Sequence, residues 1–354
     1  MPVVDVDTHI DEPEEAWATM DGPAARFRPI TVTPPAGTEA PGFSSAASRW
    51  WLVDGRLRQR MIRDDKSTGT TLESRELLDV RVRLEHMDRS GVDIHVIYPT
   101  FFLQYITGNP EVEVALAKSY CQYLARKCSE SKGRLRWVAV LPFLDMDASV
   151  ELLRWAKDNG ACGVFKKGIE HRKRASDPYF FPIYEEASAL GLPICVHTGF
   201  GNPPDGPVIG HGDGLTGLPV MDAFHALVLY NIPQKFPNLR FGFLESGSTW
   251  LPYVIDRLKA EKERRHWIRQ FDLGSELFRS NRFFVAIDPI EDISHVLALG
   301  AEDNLMIGSD YTHFDTSAQP DALQQVHQWV EQGRISETVA RKILADNPSA
   351  FYGF

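Results

Sequence analysis

The chain has no excess of basic residues, no long apolar run and only four cysteines among its 354 residues. Each absence removes a class of function. Lys and Arg number 38 against 48 Asp and Glu, a net charge of −10, so neither counterion release from a nucleic acid nor attraction to an anionic membrane would favour association. The expected partner is a small molecule. No stretch of about 18 apolar residues occurs, and the N-terminus has neither the basic lead nor the continuous apolar core of a secretion signal. A cytosolic protein is expected. Cys121, Cys128, Cys162 and Cys195 lack the short paired spacing of a zinc knuckle and read as buried free thiols rather than a disulfide framework. No internal repeat stands out. No glycine-rich phosphate loop follows the first apolar segment either, which argues against a doubly wound dinucleotide fold.

What the chain does have is a rhythm. Short β-rich runs recur: "VVDVD" (3–7), "VDIHVIYP" (92–99), "LRWVAVLPF" (135–143), "CGVFKK" (162–167), "LPICVHTG" (192–199), "LRFGFLES" (239–246), "RFFVAID" (282–288) and "NLMIGSD" (304–310). Between them lie segments such as "SVELLRWAKDNG" with apolar residues at helical spacing, often closed by glycine. Strand then helix, eight times over, is the sequence form of an α/β (β/α)8 barrel. Residues 11 to 75 interrupt the rhythm. They are rich in Pro, Gly and Arg and contain the pair Trp50 and Trp51, which predicts a packed lid inserted after strand one, over the barrel mouth of a single domain.

Barrels of this kind keep their chemistry at the C-terminal ends of the strands. The first run leads through "DVDTH", where alternation would send Asp5, Asp7 and His9 to one face. The fifth run ends in His197 and the eighth in Asp310. Two imidazoles and two carboxylates at one mouth make a nitrogen and oxygen cage for a divalent ion, Zn²⁺ first, with Mn²⁺ and Fe²⁺ also accommodated. The cation would explain why a buried strand tolerates such charge. Each residue also has a plainer reading: a surface ion pair for Asp7 and His9, a satisfied core histidine for His197, a helix N-cap for Asp310. Asp5 is expected one layer deeper on the same face.

Further residues near strand ends are candidates for substrate contact. Lys166 and Lys167 close the fourth run, where Lys167 would anchor a carboxylate or hydroxyl unless both simply decorate a solvated rim. Phe101 follows the second run and offers an aromatic wall or loop packing. His313 lies just beyond Asp310, and His225 falls on an apolar helical stretch where packing competes with a substrate contact. His211 reads as a loop residue, His95 as core, and His86, His266, His295 and His327 as helix-surface residues.

An N-terminal acid-x-His, a lone histidine after "LP", "FPNLRFGFLESGSTWLPY", "GSDYTH" and a terminal "DNPSAFYGF", in this order, resemble the amidohydrolase-related metal enzymes. That family includes decarboxylases of aminocarboxymuconate semialdehyde, γ-resorcylate and 5-carboxyvanillate. The resemblance spans nearly the whole chain. It implies one divalent ion held by Asp7, His9, His197 and Asp310, proton transfer by Asp310, a small carboxylic acid as substrate, and a homodimer. Relatives commonly carry a basic histidine in the strand-six motif, whereas here Ser246 stands there, flanked by Glu245. Serine cannot take a proton from water near neutral pH, as hydrolysis at a single ion requires. Decarboxylation asks only for a proton donor at the carbon losing CO₂, a role open to Asp310. A non-oxidative decarboxylase is therefore expected ahead of a hydrolase, in which Glu245 or His313 would act as base. A barrel that binds metal or ligand without turnover is a third reading.

Overall fold

The computed structural model describes residues 1–33, 49–60, 63, 65–199, 217–265, 271, 273–274, 276–313 and 318–354. Eight parallel strands form one sheet in chain order: β1 (Val4–Ile10), β2 (Ile94–Pro99), β3 (Leu135–Val140), β4 (Ala161–Lys167), β5 (Ile194–His197), β6 (Phe241–Phe243), β7 (Phe283–Ile287) and β8 (Leu305–Ile307). Each coincides with one of the eight apolar runs. Helices α1 (Val80–Ser90), α2 (Pro110–Ser129), α3 (Met146–Asp158), α4 (Phe181–Leu190), α5 (Leu218–Leu229), α6 (Leu251–Arg264), α7 (Ser294–Leu297) and α8 (Ala322–Glu331) alternate with them. Local chemistry sets several ends. Asp79 and Asp145 accept backbone N–H groups at the starts of α1 and α3, and Gly91 closes α1 in a left-handed conformation. The result is a (β/α)8 barrel whose strands are buried on both faces. All four cysteines are buried free thiols. No helix among the described residues is long and apolar enough to cross a membrane.

Two irregularities position the site. The register of β1 against β2 pairs Asp5 with His95 but His9 with Tyr98, so one extra residue of β1 is taken up between Asp5 and Thr8. Such a bulge reverses alternation, and the expectation that Asp5 faces with Asp7 and His9 is corrected by it. Asp5 lies on the outer side, accepting from Ser309 N (2.9 Å) and Ser309 Oγ (2.5 Å), with His95 Nε2 at 3.9 Å. Asp7 and His9 turn inward.

The second irregularity is the seam between β8 and β1. These strands share no ladder beyond an isolated bridge from Thr8 to Tyr311. Two backbone bonds close it, Asp310 N to Asp7 O and His9 N to Tyr311 O, both 2.9 Å. Gly308 permits the approach, since a Cβ there would lie 2.4 Å from the Asp7 Cβ.

The described part of 11–75 is packed. Strands Ile30–Val32, Arg49–Val53 and Arg56–Arg60 form an antiparallel sheet. The Trp51 ring stands edge-on to Trp17 (6.1 Å) and to Phe101 (6.3 Å), and Arg60 covers its other side (4.3 Å). Arg58 donates to the Ile106 carbonyl in the loop after β2, at 2.7 and 2.9 Å.

Candidate metal centre

The inward side chains of β1 meet His197 at the end of β5, Glu245 after β6 and Asp310 after β8. Asp7 Oδ1 lies 3.3 Å from both His9 Nε2 and His197 Nε2. Asp310 Oδ1 lies 3.3 Å from His9 Nε2, while Glu245 Oε2 lies 3.0 Å from His197 Nε2 and 3.8 Å from His9 Nε2. Donors about 2.1 Å from one cation stand ~3.0 Å apart at right angles and ~3.4 Å apart at the tetrahedral angle, so the separations within Asp7, His9, His197 and Glu245 suit ligands around a single ion, and Asp310 adjoins that group through His9, together with His313. His9 Nε2 is wholly buried and makes no hydrogen bond among the described residues. An orphaned imidazole nitrogen amid three carboxylates fits a cation better than any bond the chain itself supplies.

The outer nitrogens of both imidazoles are spoken for. His9 Nδ1 donates to the Pro99 carbonyl and His197 Nδ1 to the Thr198 carbonyl, each at 3.0 Å. A carbonyl can only accept, so each Nδ1 carries a proton and each Nε2 is left for the centre. Burial and charge then act unequally. Burial lowers His9 to about 4, whereas for His197 the carboxylates of Asp7 and Glu245 outweigh burial and raise it to about 9. Burial alone would raise Asp7, but His197 and His9 hold its carboxyl well below the usual range. Burial raises Asp5 to about 7.

Of the residues singled out in the sequence, Asp7, His9, His197 and Asp310 converge. Glu245, not Ser246, joins them. Glu245 has a φ of +50°, which breaks the alternation along "FLES"; Ser246 packs beside Gly217, and its Oγ has no hydrogen-bond partner among the described residues. His313 also belongs here. Its Nδ1 lies 2.8 and 3.0 Å from the two Asp310 carboxylate oxygens, its Nε2 lies 3.1 Å from Thr100 Oγ1, and its ring stacks on His9 at 3.9 Å.

The remaining candidates sit further off. Lys166 and Lys167 are buried, which removes the solvated-rim reading. Burial lowers Lys166 to about 8, with its ammonium 4.1 Å from the Phe180 ring centroid. Lys167 Nζ donates to the Phe102 carbonyl (2.7 Å), faces Glu170 (3.6 Å) and lines a cavity of about 30 Å³ with Phe165, Tyr105 and His171. Phe165 lines that cavity, and its ring lies 5.7 Å from that of His197. Phe101 packs under the insertion between Trp17 and Trp51, and His225 is half-buried on α5, outside the donor cluster. His211 and His266 lie outside the described residues. His86 departs from its surface reading, its Nδ1 lying 2.5 Å from the Tyr311 hydroxyl.

Sequence reasoning missed Glu12 and Thr100. Glu12 is buried at the end of "HIDE", raised by burial to about 8, and accepts from Thr100 N (2.9 Å) and Phe101 N (2.8 Å). It thereby fixes the loop that presents Thr100 to His313. Its only signal was an acid just past the first strand, which the insertion obscured.

Comparison with known proteins accords with this geometry. A 2-amino-3-carboxymuconate-6-semialdehyde decarboxylase of Dictyostelium discoideum is 26% identical over 286 residues, covering 78% of this chain and 77% of its own. An amidohydrolase from Mycobacterium avium subsp. paratuberculosis superposes with a TM-score of 0.77 at 17% identity, covering 99% of both chains. A 5-carboxyvanillate decarboxylase from Novosphingobium aromaticivorans, complexed with manganese and 4-hydroxy-3-methoxy-5-nitrobenzoic acid, superposes with a TM-score of 0.68 at 17% identity, covering 100% of this chain and 96% of its own. The profile of the Amidohydrolase family matches residues 75–354, well over half the sequence, and the chain belongs to that family.

Proposed function

We propose that the protein is a metal-dependent carboxy-lyase that removes CO₂ from an aromatic or otherwise unsaturated small carboxylic acid. The observation that carries the reading is the coupling of the donor cluster to an acid with its own proton supply, Asp310 backed by His313. The decarboxylase activity of the Dictyostelium relative, and the ion and nitrobenzoic acid bound by the Novosphingobium enzyme, support it. Asp7, His9, His197 and Asp310 would hold the ion, Zn²⁺ first, with Glu245 at the same cluster. When bound, a divalent cation supplies positive charge for the substrate carboxylate and for the anion left as CO₂ departs.

The chain's own residues do the rest. The bond to the carboxyl carbon breaks, its electron pair stays on the substrate carbon, and Asp310 delivers a proton there. His313 Nδ1 returns a proton to Asp310, while the Thr100 hydroxyl holds the ring in line. Lys167 and Phe165, on the strand paired with β5 and its His197, would contact the substrate body. We further read the chain as a single-domain cytosolic homodimer in which residues 11–75 roof the mouth.

A hydrolase is the second reading, favoured by one observation: Glu245 Oε2, 3.0 Å from His197 Nε2, stands where a base for an attacking water would be needed. Metal analysis of the purified protein, with a panel of aromatic and unsaturated acids followed by CO₂ release, decides between them. About one divalent ion per chain and CO₂ from at least one acid are expected. No CO₂ from any acid, with ¹⁸O from labelled water entering the carboxylic acid released from an ester or lactone, would install the hydrolase instead.

A further inference from the structure

Arg83, on α1, is fully buried, yet no carboxylate lies within ion-pair distance of it among the described residues. Its guanidinium is committed otherwise. Nη1 donates to the His9 carbonyl at 2.8 Å, Nε donates to His95 Nδ1 at 3.2 Å, and the plane lies over the Tyr311 ring at 4.2 Å. Nη2 has no hydrogen-bond partner among the described residues. Burying such a cation strips it of water, and methionine would fill the same space without that desolvation. Packing alone does not account for an arginine here.

Its contacts point to what does. His9 and Tyr311 lie on opposite sides of the seam between β1 and β8, where the barrel has only an isolated bridge. His9 is one donor of the centre, and Tyr311 follows Asp310, another, directly in the chain. Tyr311 is pinned at its far end, where its hydroxyl meets Ser74 Oγ and His86 Nδ1, each at 2.5 Å. One guanidinium therefore grips the main chain of one ligand and the ring next to a second, while Tyr311 O accepts from His9 N. A planar fork suits this double task and an ammonium does not.

We propose that Arg83 is a positioning residue for the divalent-ion centre, holding His9 and Asp310 in register across the open seam. The proposal rests on the metal-centre reading above. Groups behind metal ligands typically contribute about 10–100-fold to ion affinity.

The test measures Zn²⁺ and Mn²⁺ affinity by chelator competition, without substrate, alongside the melting temperature of the metal-free protein. For Arg83→Met, affinity is expected to fall about 10–100-fold while the metal-free melting temperature changes little, relief of a desolvated cation offsetting the hydrogen bonds left unmade at His9 O and His95 Nδ1. Arg83→Lys, which keeps the charge and one donor, is expected to fall between Met and wild type. Wild-type affinity in Arg83→Met, or an affinity loss matched by a collapse of metal-free stability in both variants, would overturn the proposal. If Arg83→Met does not fold, wild-type affinity in Arg83→Lys overturns it and a reduced one supports it. Failure of the wild-type protein itself to bind either ion removes the metal reading and this proposal with it, an outcome distinct from the others.

Discussion

His9 and His197 share one Asp7 oxygen at equal distances, yet their environments push them apart, to about 4 and about 9. The difference lies in Glu245, closer to His197 than to His9, and in which imidazole the carboxylates can charge against the cost of burial. Without metal, the shared proton sits on His197. Ligation requires its Nε2 to be bare, so ion uptake at neutral pH expels about one proton and affinity rises with pH up to about 9. Titration calorimetry in buffers of different ionisation enthalpy measures that proton directly. The sign for stability follows from a folded value above the ordinary 6.5. In metal-free protein this contribution is complete below 6.5 and is lost as pH rises through about 9, so the metal-free melting temperature falls towards alkaline pH. Asp310→Asn removes a proton carrier while leaving an oxygen donor, and turnover is expected to drop about 10²–10⁴-fold with the ion still bound. An Asn variant within tenfold of wild type in kcat would remove Asp310 from the reaction.

The places of Asp7, His9, His197 and Asp310 near one mouth were legible because a strand-end histidine or aspartate in a barrel pattern has one address. The face of Asp5 was not, and Glu245 was named only beside Ser246. A bulge in β1 reverses the alternation from which the face of Asp5 was inferred, and a positive φ at Glu245 turns it, rather than Ser246, to the cluster; neither leaves a mark in residue type.

At the scale of elements, eight strands could be read because each is built on a β-rich apolar run with its polar residues alternating or at its end, whereas the contacts between loops could not. The loop after β6 shows why. Its conformation depends on Glu291, 46 residues after Glu245 in sequence, whose carboxylate accepts from Ser248 N (2.7 Å), Ser248 Oγ (2.8 Å), Thr249 N (2.9 Å) and Asp288 N (3.1 Å). Gly247, with φ +60°, fits beneath it because a Cβ would lie 2.4 Å from Glu291 Oε1. Several donors aimed at one carboxylate hold the turn that presents Glu245. Glu291→Gln turns one acceptor into a donor against those N–H groups, which costs about 1–3 kcal/mol of stability and lets Glu245 drift. A shift of about 1 Å near reacting groups can cost 10²-fold in rate, so kcat is expected to fall at least tenfold. Kinetics at a temperature well below the variant's melting point separate this from unfolding, and an unchanged kcat there would show that the turn tolerates the loss.

For the whole molecule, the centre lies across the weakest joint of the barrel. Ladders of backbone hydrogen bonds join β1 to β2 and each later pair through β8, but among the described residues the chain after β8 meets β1 only through the Thr8 and Tyr311 bridge, two backbone bonds and side chains. Asp7 and His9 stand on one side of that joint and Asp310 on the other, so a bound cation ties the two edges together. A ligand that binds only the closed form stabilises it by RT ln(1 + [L]/Kd), about 4 kcal/mol at a free-ion concentration 1,000 times Kd. Opening of the seam should therefore be suppressed by the ion far more than opening of β3 or β4, which carry no donor. Hydrogen exchange with and without metal tests this strand by strand. The amides of His9 and Asp310, which make the two seam bonds, are expected to slow by up to about 10³-fold on loading, while those of Val138 and Val164 change little. Equal slowing in every strand would mean that the barrel opens only as a whole, and that the ion stabilises the fold without acting at its seam.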